Sequence, residues 1–389
     1  MSRKICLITG SRADYGQAQW LARDIADDPD LELQVLVTGS HLSPQFGETF
    51  REIEADGFVI SAKVPLPQGD TALDVARAVG AATSGLAEAL DRLAPDIVVI
   101  LGDRYEMLAA ASAALILRIP VAHLHGGEVT EGAFDESIRH AITKMAHLHF
   151  TAAQPYARRV AQLGENPDHI YNVGMAGLDA LERLPLMSRD ELATSLGFTV
   201  DPHFFLITYH PVTLSTTSPV AAVSALLATL ESFPNHQLII TGVNADTGNG
   251  EITQAVRDFA ASHAGRAHYV DSLGFKRYLS ALKQADAVIG NSSSGLTEAP
   301  SFGTPSVNIG DRQKGRLRAA SVIDCGETGP EIERAITRAL DPDFMETARL
   351  AEPPYGRSGA SEKIKNVLAT VSLENIITKP FYDQEPAAT

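Results

Sequence analysis

The sequence predicts an α/β protein built on two parallel sheets, each covered by helices on both faces. Three observations carry that reading. Short β-rich runs alternate with helical patterns along the chain, the 389 residues leave room for two or three domains, and the runs outnumber the strands of one comfortable sheet. Apolar residues at 44% against 21% charged describe a packed globular chain and argue against disorder, collagen and coiled coil.

In chain order the β-rich runs are residues 4–9, 32–38, 96–101, 121–125 and 149–151, then 204–209, 237–241, 287–289 and 306–309. Their alternation with helices predicts parallel strands buried on both sides. Between Thr71 and Leu93 the apolar positions Val75, Val79, Leu86, Leu90 and Leu93 keep helical spacing, and Pro95 closes the segment, so this is a crossover helix. A boundary is expected after Gly174, where Leu178 to Leu186 lead into a polar stretch ending near Pro202 and a second alternating series begins. The expected organisation is a Rossmann-like domain over 1–180 and a second over 181–360, with a cleft between them. Ligands of such sheets bind beyond the carboxyl ends of the strands, so the residues after each run are the candidates for function.

Acidic residues outnumber basic ones 48 to 32, for a formal charge of −16, which disfavours a broad surface for nucleic acid or anionic lipid. An anionic ligand must therefore be held locally. The longest apolar run, around Met107 to Leu117, stops at Arg118, short of the roughly 20 residues a bilayer span needs, and Lys4 leads into a strand pattern without a signal-peptide core. The expectation is a cytoplasmic enzyme with neither a membrane nor a nucleic-acid partner. Cys6 and Cys325 are too few for a disulfide framework and read as small buried residues.

The first strand runs into Gly10-Ser11-Arg12-Ala13-Asp14-Tyr15-Gly16, a small-residue turn opening a helix. It is either an ordinary connection or a place where backbone N–H groups and Arg12 hold phosphate. It lacks both the full dinucleotide glycine fingerprint and Gly-Lys-Ser/Thr, so no NAD or P-loop chemistry is supported. Later runs end in Gly102-Asp103-Arg104-Tyr105-Glu106 and in His123-Leu124-His125-Gly126-Gly127-Glu128. Capping by Asp103 and pairing of Glu128 with a nearby base are the bland alternatives to catalysis. His123 with His125, and His147 with His149, have the spacing of metal ligands, but no Cys or third ligand accompanies them, and no metal is expected.

Next comes Glu131-Gly132-Ala133-Phe134-Asp135-Glu136-Ser137-Ile138-Arg139-His140. A helix starting at Asp135 pairs Asp135 with Arg139 and Glu136 with His140, which is surface support or part of a site. Within about 35 residues the chain gathers Asp103, His125, Glu128 and Asp135 near consecutive strand ends, a density of proton carriers that points to catalysis. In the second half, Tyr209-His210-Pro211-Val212-Thr213 and Gly290-Asn291-Ser292-Ser293-Ser294-Gly295-Leu296-Thr297-Glu298 follow strands. Gly310-Asp311-Arg312-Gln313-Lys314-Gly315-Arg316 follows another. The serine-rich loop opens a helix and can cap it or take phosphate oxygens, with Glu298 placed for ribose hydroxyls.

Taken together, Arg12-Ala13-Asp14-Tyr15-Gly16, Thr38-Gly39-Ser40-His41-Leu42, Gly102-Asp103-Arg104, Gly126-Gly127-Glu128, Asp135 to His140, His210-Pro211-Val212, Asn291-Ser292-Ser293 and Gly310 to Gln313 run in an order that resembles the hydrolysing UDP-N-acetylglucosamine 2-epimerases of sialic and legionaminic acid pathways. The resemblance covers nearly the whole chain. It implies a glycosyltransferase-B-like pair of Rossmann-like domains and a helix over 361–375 crossing back to the first domain. It also implies that Arg12, Arg104, His210, Tyr278, Ser292, Ser293, Glu298 and Arg312 bind the nucleotide sugar, and that Asp103 and Asp135 are catalytic acids. His210 stands in both the binding and the catalytic set. A homodimer or homotetramer is implied in the same way, with no cofactor. One departure stands out: where the family commonly has a glutamate, two residues after the His of the fourth strand, this chain has His125.

The implied reaction has a physical logic. The C2–H of an acetamido sugar is not acidic, because no carbonyl is conjugated to it; loss of the nucleoside diphosphate from C1 gives oxocarbenium character that acidifies it. Arg12, Arg312, His210 and the Ser292/Ser293 helix start are expected to stabilise the departing diphosphate while a carboxylate or imidazole takes the C2 proton, giving a 2-acetamidoglucal. Water then adds at C1 and a proton returns to C2 from the other face. Two faces need two proton carriers, a need that Asp103, His125, Glu128 and Asp135 meet. His125 is expected to act as acid or base, oriented by Glu128; the alternative is that it only packs under the Gly126-Gly127 turn. The leading substrate is UDP-N-acetylglucosamine, giving N-acetylmannosamine. Left open are a 2,4-diacetamido-6-deoxy relative carried on uracil or guanine, a glycosyltransferase of the same architecture, and a non-enzymatic nucleotide-sugar sensor.

Overall fold

The structure, a computed structural model, describes residues 2–384 apart from 68, 70, 130–133, 211–218 and 243–248. It divides into two compact units, Met1–Ala180 with Tyr355–Thr389 and Leu181–Pro354. Each unit holds one parallel sheet. The first comprises β1 (Arg3–Thr9), β2 (Leu31–Thr38), β3 (Ile60–Val64), β4 (Ile97–Leu101), β5 (Val121–Leu124), β6 (Leu148–Thr151) and β7 (Ile170–Asn172), in the order β3-β2-β1-β4-β5-β6-β7. The second comprises β8 (Phe204–Thr208), β9 (Gln237–Thr241), β10 (Ala267–Val270), β11 (Ala287–Gly290), β12 (Ser306–Ile309) and β13 (Val322–Cys325), in the order β10-β9-β8-β11-β12-β13.

The period of two along each central strand builds the layers. In β1, Ile5 and Leu7 enter one buried cluster while Cys6 and Ile8 enter the cluster on the opposite face. In β8, Phe205 and Ile207 face one layer and Phe204 and Leu206 the other. The crossover helix is Ala72–Leu93: the Thr71 side chain accepts from the Asp74 amide, Asp74 accepts in return, and Ala94 closes the helix in the left-handed region before Pro95. Four strands have no counterpart in the sequence reading: β3, β7, β10 and β13. All four are sheet edges, where one face or flank meets water and the apolar run is broken by residues such as Lys63, Asn172, His268 and Asp324.

The chain returns to the first unit at Tyr355, and the helix Ala360–Thr370 packs Ile364 and Leu368 into the same cluster as the helix Arg12–Ala26. Asp179, itself fully buried, anchors the start of that last helix by accepting from the amides of Gly359 at 2.5 Å, Ala360 at 3.0 Å and Ser361 at 2.7 Å. Among the described residues, no helix is long and apolar enough to cross a membrane.

Candidate active site

In both sheets the strand order reverses beside the first strand of the unit, between β1 and β4 and between β8 and β11. Such reversals open a crevice at the carboxyl ends, because the two flanking connections leave to opposite faces. The sequence motifs follow the carboxyl ends of these strands and of their neighbours β2, β5 and β12.

In the first unit, β4 stops at Leu101 and Gly102 turns with φ +79°, delivering Asp103. The helix Asp135–Met145 delivers Arg139, which is 3% exposed, against that carboxylate. Arg139 also donates to Glu136 at 2.7 Å and to the Glu128 carbonyl at 2.8 Å. The expected four-residue pair of Glu136 with His140 is present at 3.3 Å, whereas the Arg139 guanidinium reaches back to Asp103 rather than serving as surface support. Asp135, at the first position of the helix, is half-buried. Burial first, and then the Asp103 carboxylate, push its carboxyl up, against the pull of Arg104 and Arg139.

The strand expected over 121–125 ends one residue early, at Leu124. His125 turns into the left-handed region with φ +66° while its amide still donates to the Phe150 carbonyl at 2.9 Å. This turn separates the two histidines of the pair. His123 is fully buried in the strand, hydrogen-bonded to the Gly102 carbonyl at 2.8 Å, and burial pushes it down to about 3. The His125 ring instead meets Glu128, Nδ1 to Oε1, at 2.8 Å, and its buried Nε2 has no hydrogen-bond partner among the described residues. With the Nδ1 proton donated to Glu128, Nε2 carries the basic lone pair. His147 and His149 serve other partners, the Val121 amide and Glu165.

Beneath the first loop lies a carboxylate that sequence reasoning did not select. Glu106 is fully buried, holds Arg104 Nε at 2.5 Å, and lies so close under Gly10 that a Cβ there would come within 2.5 Å of its Oε1. Asp14 lies in the same field; burial raises it to about 6 against the attraction of Arg104. His41 is held between Thr9 at 3.0 Å and Thr49 at 2.8 Å, and burial lowers it to about 4, so it is neutral. A signal for Glu106 existed: a carboxylate followed by the apolar run from Met107 to Ala114 must be buried, and a buried charge needs a cation. Arg139 had no comparable signal, since its spacing from Asp135 also describes a solvated helix face. Arg12, at the start of its helix, is exposed and 3.3 Å from Glu52.

In the second unit, the Asn291 side chain bridges the two strand ends, accepting from the His210 amide at 2.7 Å and donating to the His210 carbonyl at 2.8 Å. Gly290 permits this approach: at φ +137°, a Cβ would fall on the Thr208 carbonyl oxygen. Arg312 and Gln313 donate to the Asn291 carbonyl at 3.1 and 2.8 Å, joining the end of β12 to the same point. Ser292 caps the short turn Ser293–Gly295. The buried Tyr278 hydroxyl faces Ser294, Thr208 and Ser292 without a well-formed hydrogen bond to any of them, and burial pushes it up to about 12. Glu298, held by Thr297, is raised by burial and faces Arg316. His210, Asn291, Ser292, Arg312 and Tyr278 thus meet at one loop cluster, as Asp103, Asp135, Arg104, His125 and Glu128 do in the first unit. Glu131-Gly132-Ala133 and Pro211-Val212-Thr213 lie outside the described residues.

The family model described as UDP-N-acetylglucosamine 2-epimerase matches residues 23–369. A Campylobacter jejuni protein named GDP/UDP-N,N'-diacetylbacillosamine 2-epimerase (hydrolyzing) is 40% identical over 98% of this chain and 99% of its own. A Legionella pneumophila protein named UDP-N,N'-diacetylbacillosamine 2-epimerase (hydrolyzing) is 36% identical, covering 97% and 98%. Among solved structures, the UDP-GlcNAc 2-epimerase from Neisseria meningitidis bound to UDP-GlcNAc superposes with a TM-score of 0.77 at 18% identity, over 94% of this chain and 99% of that one.

Proposed function

The chain belongs to the UDP-N-acetylglucosamine 2-epimerase family, and from that premise we propose that it is a hydrolysing 2-epimerase, releasing a free 2-epimerised acetamido sugar and a nucleoside diphosphate. The observation that carries this reading is the acid–base cluster of the first unit: Asp135, its carboxyl raised by burial and by the neighbouring Asp103 carboxylate, and an imidazole oriented by Glu128. Such a set supplies separate proton carriers for removal and return of the C2 proton. Asp103, Asp135, His125 and Glu128 are assigned to the sugar. His210, Ser292, Ser293, Glu298, Tyr278, Arg312, Arg12 and Arg104 are assigned to the nucleotide and its departure. His210, on this assignment, also assists the leaving diphosphate. The order is elimination to the 2-acetamidoglucal, then addition of water at C1 with protonation of the opposite face of C2.

The substrate we favour is a nucleotide-linked N,N'-diacetylbacillosamine, because both relatives described above carry that name at 36 to 40% identity across the chain. UDP-N-acetylglucosamine, the first expectation from the sequence, is the second reading and rests on the description of the family model. A panel of UDP- and GDP-linked sugars, incubated without any acceptor and assayed for released nucleotide, tests both. Release with a free 2-epimerised sugar supports the proposal, and the faster sugar identifies the substrate. Turnover that appears only with an added acceptor sugar would make the protein a glycosyltransferase.

A further inference from the structure

At the amino ends of the second sheet, opposite the loops assigned to the nucleotide, three side chains converge. His203 immediately precedes β8, His236 precedes β9 and Asp286 precedes β11, three adjacent strands. His203 Nδ1 lies 3.3 Å from Asp286 Oδ2, and His236 Nε2 lies 3.8 Å from the same oxygen. The three ligand atoms fall within 4.8 Å of one another, the one such group of His, Cys, Asp and Glu among the described residues. Asp286 Oδ2 is buried and makes no well-formed hydrogen bond, and neither does His236 Nδ1; the carboxylate's one hydrogen bond among the described residues is a long one, His203 Nδ1 to Oδ1 at 3.4 Å. A buried carboxylate oxygen between two imidazoles with so weak a partner gains from a cation that joins them.

We propose that His203, His236 and Asp286 form a binding site for a divalent transition-metal ion of the zinc class. Bonds of about 2.0–2.1 Å at tetrahedral angles put neighbouring ligand atoms about 3.3 Å apart; the two His–Asp separations match this within half an ångström, and all three ligand atoms lie within 4.8 Å, so a small side-chain turn of the exposed His203 completes the set. Two imidazoles with one carboxylate select zinc, cobalt or nickel over magnesium or calcium, which favour oxygen ligands throughout. His203 is 69% exposed in its side chain, so the ion has an open path and keeps a water position.

The frame behind the ligands is rigid. Gln237 N donates to the His203 carbonyl at 3.0 Å and Asp286 N to the Phe204 carbonyl at 3.0 Å, locking the three strand starts in register. The His236 ring stacks on Phe205 at 4.4 Å, which fixes its orientation. Arg266 puts a cation nearby, but its guanidinium is spent on the carbonyls of Leu230, Phe233 and His236, holding the turn that presents His236. The expectation of no metal concerned two His-x-His pairs; here the ligands are far apart in sequence, so no spacing rule finds them. The ion's role is to clip three strands together, which raises stability by mass action wherever it binds only the folded chain.

The test uses the full chain stripped with a chelator and titrated with Co(II), whose visible absorption reports ligand geometry, and with Zn(II) by calorimetry and thermal unfolding. The native chain is expected to bind one ion with a rise in Tm. The exposed His203→Ala variant should unfold at the same temperature without metal, bind roughly tenfold or more weakly, and lose the Tm rise. Asp286→Asn should behave likewise where it folds. Equal binding by the native and His203→Ala chains, or no change of Tm with metal, would overturn the site. No nucleotide sugar is used, so the outcome stands apart from that of the epimerase proposal.

Discussion

His125 carries the clearest chemical commitment at the scale of single residues. Its backbone is left-handed, its ring meets Glu128 and its buried Nε2 has no hydrogen-bond partner among the described residues, an arrangement that supports the proposed acid–base role. His125→Gln keeps a polar side chain but no proton carrier. It is therefore expected to lose turnover by about 10²-fold or more while nucleotide binding is retained. Asp135→Asn should do the same, with KM little changed, since a proton carrier matters only as bonds to C1 and C2 change; steady-state kinetics on both variants check this. Asp14 makes a prediction of the opposite kind. Its buried carboxyl is raised to about 6, above the roughly 3.9 of an unfolded chain, so the stability tied to its protonated form is full below about pH 4 and lost as pH rises through 6. Asp14→Asn should gain about 1–3 kcal/mol over the native chain at pH 8 and nothing at pH 4, read by urea unfolding.

Among the elements, the central strands were legible in the sequence and the edges were not. The centres of β1, β2, β4, β8 and β9 are apolar runs because both faces are buried there, and such runs stand out against any background. β3, β7, β10 and β13 close the sheets, so water on one flank admits polar residues and erases the pattern. The same logic hid the tether of the chain's end. Lys379 donates to the carbonyls of Lys144 and Ala146 and to Glu165, which also holds Lys144 and His149. A lysine in a tail carries no sign that it will be buried. Burial pushes Glu165 up, but the three donors together outweigh it and hold the carboxyl down at about 2. Its contribution to stability is thus present above the unfolded value near pH 4.3 and disappears as pH falls through 2. Glu165→Gln should cost roughly 2–4 kcal/mol at pH 6, by analogy with other broken buried pairs, and the gap to the native chain should shrink between pH 4 and pH 2.

Both units carry a parallel sheet with the same order over their first six strands, and the candidate residues follow the carboxyl ends of those strands. That placement was readable from motifs that follow strand patterns. Asp103, His125, Glu128 and Asp135 were singled out in sequence because proton carriers gather within about 35 residues near consecutive strand ends, and in the first unit Arg139 links Asp103 to the Glu128 carbonyl, beside the His125–Glu128 pair. Arg139, Glu106 and Asp14 were not selected, since their importance lies in burial and in partners distant along the chain. The proposed function assigns a different role to each loop cluster. One presents hydroxyls, amides and cations suited to a diphosphate; the other presents groups that exchange protons. On the proposed reading, the C2 proton leaves to a group open to exchange and a proton returns from a different group. Turnover in D2O, with the released sugar examined by NMR and mass spectrometry, tests this most directly: full deuterium incorporation at C2 is the expected result, and product that keeps its original C2 hydrogen would contradict the account.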